Sequence, residues 1–186
     1  MMFIHLLALL SFFCLRATCL ESSFRSDVHS QVVLMSHGEM ESDLELKLEG
    51  RQQAADAGET LQEKRFRFDQ AIISGTDFIQ SPAQISLDIV LTALGQEDIT
   101  ITKTSKLRAR SYYDNRIKPL VQEGKNVLVV AHTNPIASIM SHIEGQSVEK
   151  FEGKWENVAL IVYDFNSAGQ FKRAIYDPKG DVITTV

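Results

Sequence analysis

Two histidines each follow a short apolar run, and two imidazoles brought together can act as nucleophile, acid or base. His37 follows residues 32–36, Val-Val-Leu-Met-Ser, and His132 follows residues 127–131, Val-Leu-Val-Val-Ala. Such apolar, β-branched runs are typical of strands buried on both faces of a parallel sheet. Gly38 gives the backbone the freedom for a sharp exit from the first strand. Because ligands bind where parallel strands end, we expect both imidazoles to share one pocket.

Three roles are open for this pair: metal ligation, ordinary burial in the core, and phosphoryl transfer. No third ligand stands at a recognisable spacing, so the sequence predicts neither a metal site nor a cofactor. A single histidine is more often a core residue, but two at matching strand ends disfavour coincidence. Asn134 and Pro135 predict a helix start, as N-cap and first residue, whose free amides would face an anion in the same pocket. We therefore favour attack by one imidazole while the other stabilises the transferred charge.

The elements that must position these histidines alternate between strand and helix until the end of the chain. Ser81 and Pro82 predict the cap and first residue of a helix that Gly95 ends. The further predicted helices cover 51–64, 108–123 and 135–143, and the further strands cover 69–74, 98–102 (an edge strand), 158–163 and 171–176. This order predicts an α/β fold, a three-layer α/β/α sandwich with a mostly parallel sheet and an antiparallel C-terminal hairpin.

Length and composition suit one globular domain. The chain has 186 residues, of which 44% are hydrophobic, enough for a sizeable core. The net charge of −5 gives no general footprint for nucleic acid, and we expect no such partner. We divide the chain into a signal peptide (1–19), a linker (20–30), one domain (31–178) and a tail (179–186).

The first residues have the pattern of a secretory signal. Residues 3–15 are mostly apolar and too short for a stable membrane span, and Ala17-Thr18-Cys19 supplies small residues for cleavage. No Lys or Arg precedes Arg16, so a signal anchor or an ordinary buried element stays open. Cleavage before Leu20 would remove both cysteines and leave no disulfide framework. We expect a secreted protein.

The two histidine motifs resemble those of a known superfamily. Ser36-His37-Gly38-Glu39 resembles the Arg-His-Gly-Glu signature of the histidine phosphatase superfamily, which includes cofactor-dependent phosphoglycerate mutases. Residues 123–134 are similar to the strand that carries the family's second histidine, and Ser-His-Ile-Glu-Gly at 141–145 is similar to a mutase helix end. The resemblance covers about 31–171. It implies that His37 is the phosphoaccepting nucleophile and that His132 is its charge-stabilising partner.

The resemblance breaks at the charged residues. The family's arginine before the nucleophile is Ser36, and the best match for a second family arginine, in residues 78–86, is Pro82. Residues 70–102 contain no Lys or Arg at all. The mutases' acidic segment has no counterpart, so the chain looks more like the short phosphohistidine phosphatases. For those, the general acid would lie in the loop after the first motif, here Glu39, or else Glu41 or Asp43.

The donors left for a phosphate are neutral. They are the Ser36 hydroxyl, the Gly38 amide and the helix start at Asn134, with Arg51 and Arg108 as distant cations that we expect to be surface charges. Two hypotheses follow. The protein handles phosphate esters, on a phosphorylated small molecule or a phosphoprotein, with impaired activity. Alternatively, it is a secreted, catalytically inactive relative that acts as a binding protein.

We predict that residues 1–19 are removed during secretion, because an apolar core followed by small residues is a signal-peptidase substrate. Mass spectrometry of protein from its native source should find a mature N-terminus near Leu20. Recovery of the intact terminus at Met1 would contradict this prediction.

Overall fold

The computed structural model describes residues 28–42, 45–75, 81–153 and 159–185; the predicted signal peptide, 1–19, lies outside these ranges. The strands are β1 (Val28–Ser36), β2 (Met40–Ser42), β3 (Glu45–Leu46), β4 (Gln70–Ser74), β5 (Thr100–Thr104), β6 (Val127–Ala131), β7 (Leu160–Asn166), β8 (Phe171–Tyr176) and β9 (Val182–Thr185). The helices are α1 (Leu48–Glu63), α2 (Pro82–Leu94), α3 (Arg110–Tyr112), a π-helical segment (Tyr113–Ile117), α4 (Lys118–Gln122), α5 (Thr133–Glu144) and a 3₁₀ turn (Val148–Lys150).

Seven of the strands form one central sheet in the order β5-β4-β6-β1-β7-β8-β9. Strands β5, β4, β6 and β1 run parallel, whereas β7, β8 and β9 each pair antiparallel to the preceding neighbour in that order. Strands β2 and β3 form a separate small hairpin after β1. The predicted α/β architecture, with a mostly parallel sheet and antiparallel C-terminal strands, is therefore confirmed.

Alternating side chains of the central strands build a core on each face of the sheet. Val32 and Leu34 of β1 pack with residues of α5 and the π-helical segment on one face. Val33 and Met35 pack with residues of α1 and α2 on the other. All four side chains are fully buried, as expected for a strand covered on both faces. The strand that ends at the first histidine therefore lies in the middle of three layers.

The helix starts show where sequence signals were sufficient. Ser81 caps α2 as predicted, because its Oγ accepts a hydrogen bond from the Gln84 amide at 3.3 Å, and Gly95 ends that helix in the left-handed conformation at φ 61°. Helix α1 begins at Leu48 rather than at residue 51, so Gly50 lies inside its first turn.

Within the described residues, no helix is both long and apolar enough to cross a bilayer.

The helix predicted over 108–123 is not one continuous α-helix. A π-helical segment, Tyr113–Ile117, separates two short α-helical pieces. Pro119, near the start of the second piece, has no N–H to donate to the preceding turn, and its ring crowds the carbonyl four residues earlier. The widened turn accommodates this defect.

The ends of the domain extend beyond the predicted boundaries. Strand β1 starts at Val28, so the last three residues of the predicted linker are strand. In the segment predicted as a tail, the β-branched run Val182–Thr185 forms β9 and pairs with β8. The sheet thus gains an outer strand that the sequence analysis had not included.

The loop after β1 and the first turn of α1 meet backbone to backbone. A Cβ added to Gly38 would lie 2.1 Å from the Gly50 carbonyl oxygen, and one added to Gly50 would lie 2.2 Å from the Glu39 carbonyl oxygen. Only glycine allows two backbones to approach so closely. This contact fixes α1 against the segment that carries His37.

We predict that Gly50→Ala lowers the free energy of unfolding by about 1–2 kcal/mol in urea titrations. Alanine favours a helix interior by at most ~1 kcal/mol, whereas forcing a methyl group into closed packing typically costs about 1–3 kcal/mol. Gly75→Ala is the matched control, because its Cβ would meet only the Ser81 Oγ, at an ordinary 3.5 Å. Its free energy of unfolding should stay within about 0.5 kcal/mol of the wild type. Equal losses in both variants would contradict the proposed contact.

Candidate active site

The parallel pairing of β1 with β6 brings the two histidines side by side. Ser36 pairs with Ala131 at the end of the two strands, and the His37 amide donates a hydrogen bond to the Ala131 carbonyl at 3.2 Å. The next residue on each strand is therefore a histidine. His37 Nε2 lies 2.7 Å from His132 Nδ1, and the ring centroids are 4.5 Å apart in an edge-to-face arrangement. The predicted placement of both imidazoles in one site is confirmed.

The hydrogen bonds of His37 fix its tautomer. Its Nδ1 lies 2.8 Å from the Gly38 carbonyl oxygen, which can only accept, so Nδ1 carries the proton. Nε2 of the neutral ring then has a free electron pair and accepts from Nδ1–H of His132. The electron pair that could attack an electrophile is therefore on Nε2, and the Gly38 carbonyl orients it.

The surroundings of His37 favour its neutral form. Burial of the ring is the largest cause that lowers its pKa below the ordinary imidazole value, the hydrogen bond to Gly38 opposes this shift, and the field of His132 adds to it. Among the described residues, His132 is the only other titratable side chain that contributes to this shift. A neutral imidazole is the form that acts as a nucleophile.

Gly38 contacts helix α2 as well as the first turn of α1. Its amide donates a hydrogen bond to Ser86 Oγ at 3.1 Å, and Ser86 is fully buried in α2. The amide that we predicted as a phosphate donor is thus engaged in this structure, and its role toward a phosphate stays a prediction. The sequence analysis missed Ser86. The signal for it was weak, since Ser86 is the last residue of the segment compared with the family's second-arginine motif, where the family has threonine.

The start of α5 differs from the predicted one. His132, not Asn134, occupies the N-cap position, with extended backbone (ψ 160°) and no side-chain capping bond. Asn134 is the second helical residue and is exposed, and Pro135 is the third. The amides of Thr133 and Asn134 directly follow the His132 cap and therefore lie close to the histidine pair. The first amides of a helix have no intrahelical acceptor. The phosphate-binding role of Asn134 stays a prediction.

The two positions that correspond to family arginines are buried and uncharged. Ser36 is 5% exposed and lines a narrow, mostly apolar cleft with Ile136, Phe151 and Ile161. Pro82 is buried in the first turn of α2. Neither position can supply a cation, so whatever charge stabilises an anion must come from elsewhere.

The candidate general acid is ion-paired. Lys47 Nζ donates a hydrogen bond to the Glu39 carboxylate, both side chains are about two-fifths exposed, and this contact raises the pKa of Lys47. A carboxylate in this pair is an acceptor, so Glu39 must leave Lys47 before it can donate a proton. Glu41 is exposed, and Asp43 lies outside the described residues.

The two distant arginines are surface residues. Arg51 and Arg108 are both exposed, and neither contributes to the pKa of His37. The backbone carbonyl of Arg108 accepts a hydrogen bond from Ser138 Oγ at 2.9 Å, which ties its loop to α5. Across the described part of the chain, no group of three His, Cys, Asp or Glu side chains is arranged to hold a metal ion.

The mutase-like end of α5 lies away from the histidine pair. Glu144, the last helical residue, accepts a hydrogen bond from the Tyr163 hydroxyl at 2.6 Å and pairs with Arg173. Burial raises the pKa of Tyr163 well above its usual range, and the contact with Glu144 adds to the shift. Since His132 caps the other end of the helix, this part of the motif anchors α5 to the sheet.

Comparison with known proteins finds similar mutases and phosphatases, although no family model matches the chain. The 2,3-bisphosphoglycerate-dependent phosphoglycerate mutase of Methanosarcina acetivorans is 39% identical over 67 residues, 36% of this chain and 27% of the mutase. That of Hamiltonella defensa is 29% identical over 96 residues, 50% of this chain and 39% of the mutase. The solved protein histidine phosphatase SixA, complexed with tungstate, superposes with a TM-score of 0.64 at 17% identity, over 80% of this chain and 97% of SixA. These similarities support the resemblance to the histidine phosphatase superfamily.

The comparisons show the fold and leave the activity open. The chain spans well under half the length of the two mutases, whereas it covers almost all of SixA. The structural likeness at 17% identity concerns the fold alone. Within this histidine phosphatase fold, the histidine pair is present, and Ser36 and Pro82 stand where the resemblance predicts arginines.

We predict that His37 titrates below pH 6.5 and that its protonation disrupts the histidine pair, since Nε2–H can no longer accept from His132. In the unfolded chain His37 takes up its proton near the ordinary value, so the unfolded state binds more protons as the pH falls below about 6.5. The contribution of His37 to stability is therefore complete above pH 6.5 and is lost as the pH falls toward the lowered pKa. NMR titration of the imidazole signals measures the pKa directly.

His37→Asn removes the titrating imidazole and is therefore the control for the dependence of stability on pH. Urea unfolding between pH 5 and 7.5 should show a weaker pH dependence in the variant than in the wild type. An identical pH dependence, or a His37 signal that titrates above 6.5, would contradict the prediction.

Proposed function

We propose that the protein handles phosphate esters through a phosphohistidine at His37, as a phosphoglycerate mutase- or phosphatase-like protein with impaired activity. The observation that carries this proposal is the oriented pair, with His37 Nε2 2.7 Å from His132 Nδ1 and its Nδ1 held by the Gly38 carbonyl. The electron pair of His37 Nε2 faces the second imidazole, and a substrate must take the place of that hydrogen bond before attack. The substrate is a phosphorylated small molecule or a phosphoprotein.

The proposed reaction has two steps. His37 Nε2 attacks the phosphorus, the N–P bond forms, and the ester P–O bond breaks while its oxygen takes a proton from the general acid, for which Glu39 is the candidate. A water molecule then attacks the phosphorus, gives a proton back to that carboxylate, and the N–P bond breaks to release phosphate. Transfer to a second alcohol in place of water would make the protein a mutase. His132 and the first amides of α5 would hold the transferred oxygens.

The missing charge is the reason to expect low activity. A phosphoryl group carries about −1.5 to −2 charge, and loss of one preorganised donor typically lowers a rate by roughly 10²–10³. A catalytic arginine contributes on the order of 10³–10⁵. Ser36 and Pro82 are both buried and neutral, so the described site offers imidazoles and amides in place of two guanidinium groups.

The alternative is a secreted, catalytically inactive relative that uses the fold as a binding protein. Two observations favour it. The two imidazoles are hydrogen-bonded to each other, so the nucleophilic electron pair is occupied, and Glu39 is held by Lys47. A secreted location rests on the sequence of residues 1–19 and is part of the proposal.

We predict that Ser36→Arg raises the hydrolysis of p-nitrophenyl phosphate about 10- to 100-fold over the wild type. The guanidinium restores one charge-assisted clamp, and the gain stays below a full arginine effect because Pro82 is unchanged. Ser167→Arg is the matched control, since it adds the same charge in the exposed turn after β7, next to the opposite end of β1. That variant should leave the rate within about twofold.

His37→Ala tests the phosphoenzyme in both backgrounds. It should abolish turnover and the acid-labile phosphoprotein trapped by acid quenching. Brisk hydrolysis that survives His37→Ala would rule out the phosphohistidine route. If neither the wild type nor Ser36→Arg hydrolyses the ester or is protected by tungstate against thermal unfolding, the binding-protein alternative replaces the enzyme.

A further inference from the structure

A second cavity lies at the start of strand β1, at the opposite end of this strand from the histidine pair. It has a volume of about 290 Å³, and its lining includes Val28, His29, Gln31, Lys64, Asp164 and Tyr176. Gln31 and His37 are six residues apart on one extended strand, which separates the two sites by about 20 Å. The volume lies at the lower end of the ~300–1,000 Å³ range of small-molecule pockets, so the cavity suits a small ligand.

A cation stands on one side of this cavity. Lys64, the residue that ends α1, places its ammonium group 4.5 Å from the centre of the Tyr176 ring. An ammonium group over an aromatic face keeps its positive charge and is positioned by the ring. It can still donate hydrogen bonds to a ligand anion.

A carboxylate belongs to the same cavity. Asp164 lies opposite Gln31 in the β1–β7 register, and its Oδ1 accepts a hydrogen bond from Gln31 Nε2 at 2.7 Å. The backbone N–H of Gln31 donates a separate hydrogen bond to Asn126 Oδ1 at 2.9 Å. Asp164 is half-buried, so these hydrogen bonds hold an oriented carboxylate at the cavity wall.

We propose that this cavity binds a small zwitterion, one molecule that carries both a carboxylate and an ammonium group, as a free amino acid does. The ligand's carboxylate pairs with Lys64 and its ammonium group pairs with Asp164, while Phe66 and Val162 provide apolar surface between them. A phosphate ester is disfavoured, because Asp164 would repel it. The proposal is independent of phosphoryl chemistry at His37.

The test is isothermal titration of the full chain with two series of ligands. Free L-amino acids, together with β-alanine and 4-aminobutanoate, establish binding and the preferred spacing between the two charges. The N-acetyl derivative and the methyl ester of the best ligand each remove one charge. Each should bind at least tenfold more weakly, because each loses one charge-assisted hydrogen bond.

Matched variants locate the binding. Lys64→Met and Asp164→Asn should each weaken binding at least tenfold. Lys150→Met and Asp56→Asn are controls outside the cavity, since Lys150 also lies over an aromatic ring and Asp56 also accepts from a glutamine at 2.7 Å. Both controls should bind like the wild type.

The proposal is overturned by no heat of binding for any zwitterion up to millimolar concentration, or by derivatives that bind as tightly as the parent. Weakening by the control variants as much as by the cavity variants would also overturn it. If Asp164→Asn does not fold, the methyl ester and N-acetyl series still decides, because it uses the wild-type protein. Activity toward phosphate esters plays no part in this measurement.

Discussion

The parallel pairing of β1 with β6 is the constraint on which the histidine site depends. Neighbouring strands in a sheet lie about 4.8 Å apart. His37 and His132, which follow the Ser36–Ala131 pair, therefore lie side by side. A slip of one residue would turn every buried side chain of β1 to the opposite face, and both cores forbid that. The apolar interior therefore sets the positions of the imidazoles, and the hydrogen bond that the His37 amide donates to the Ala131 carbonyl refines them.

Among the residues that the structure describes, burial and neutral dipoles dominate the electrostatics around the histidine pair. The Gly38 carbonyl, the Ser86 hydroxyl and the first turn of α5 surround the histidines, while the nearby Glu39 and Lys47 cancel each other. A helix terminus contributes the equivalent of roughly half a charge, which is well short of what a transferring phosphoryl group demands. The same site would hold a weakly charged or neutral group with little penalty. The described residues thus combine an oriented imidazole with a weak positive field.

The sequence was sufficient where one local pattern determined the answer. Two apolar runs that each end in histidine predicted both central strands and the meeting of the rings, because a buried parallel strand has few alternatives. Local signals failed where two competed: Asn134 resembles a cap, yet His132 takes that position, and Pro119 lies within an amphipathic pattern that it interrupts. The contact of Ser86 with Gly38 was beyond reach, since it joins residues 48 positions apart through the packing of α2.

The burial of Ser36 and Pro82 has an evolutionary consequence. Ser36 fits a narrow cleft, and Pro82 opens a capped helix, so each residue is suited to the scaffold it occupies. Gly38, in contrast, is enclosed by Ser86 and by the backbone of Gly50. A lineage that has lost these charges can therefore recover them only by fitting an arginine into packed surroundings, so the loss is easier than the return. Changes at the glycine would be removed by selection for folding alone, whether or not the protein retains a reaction to catalyse.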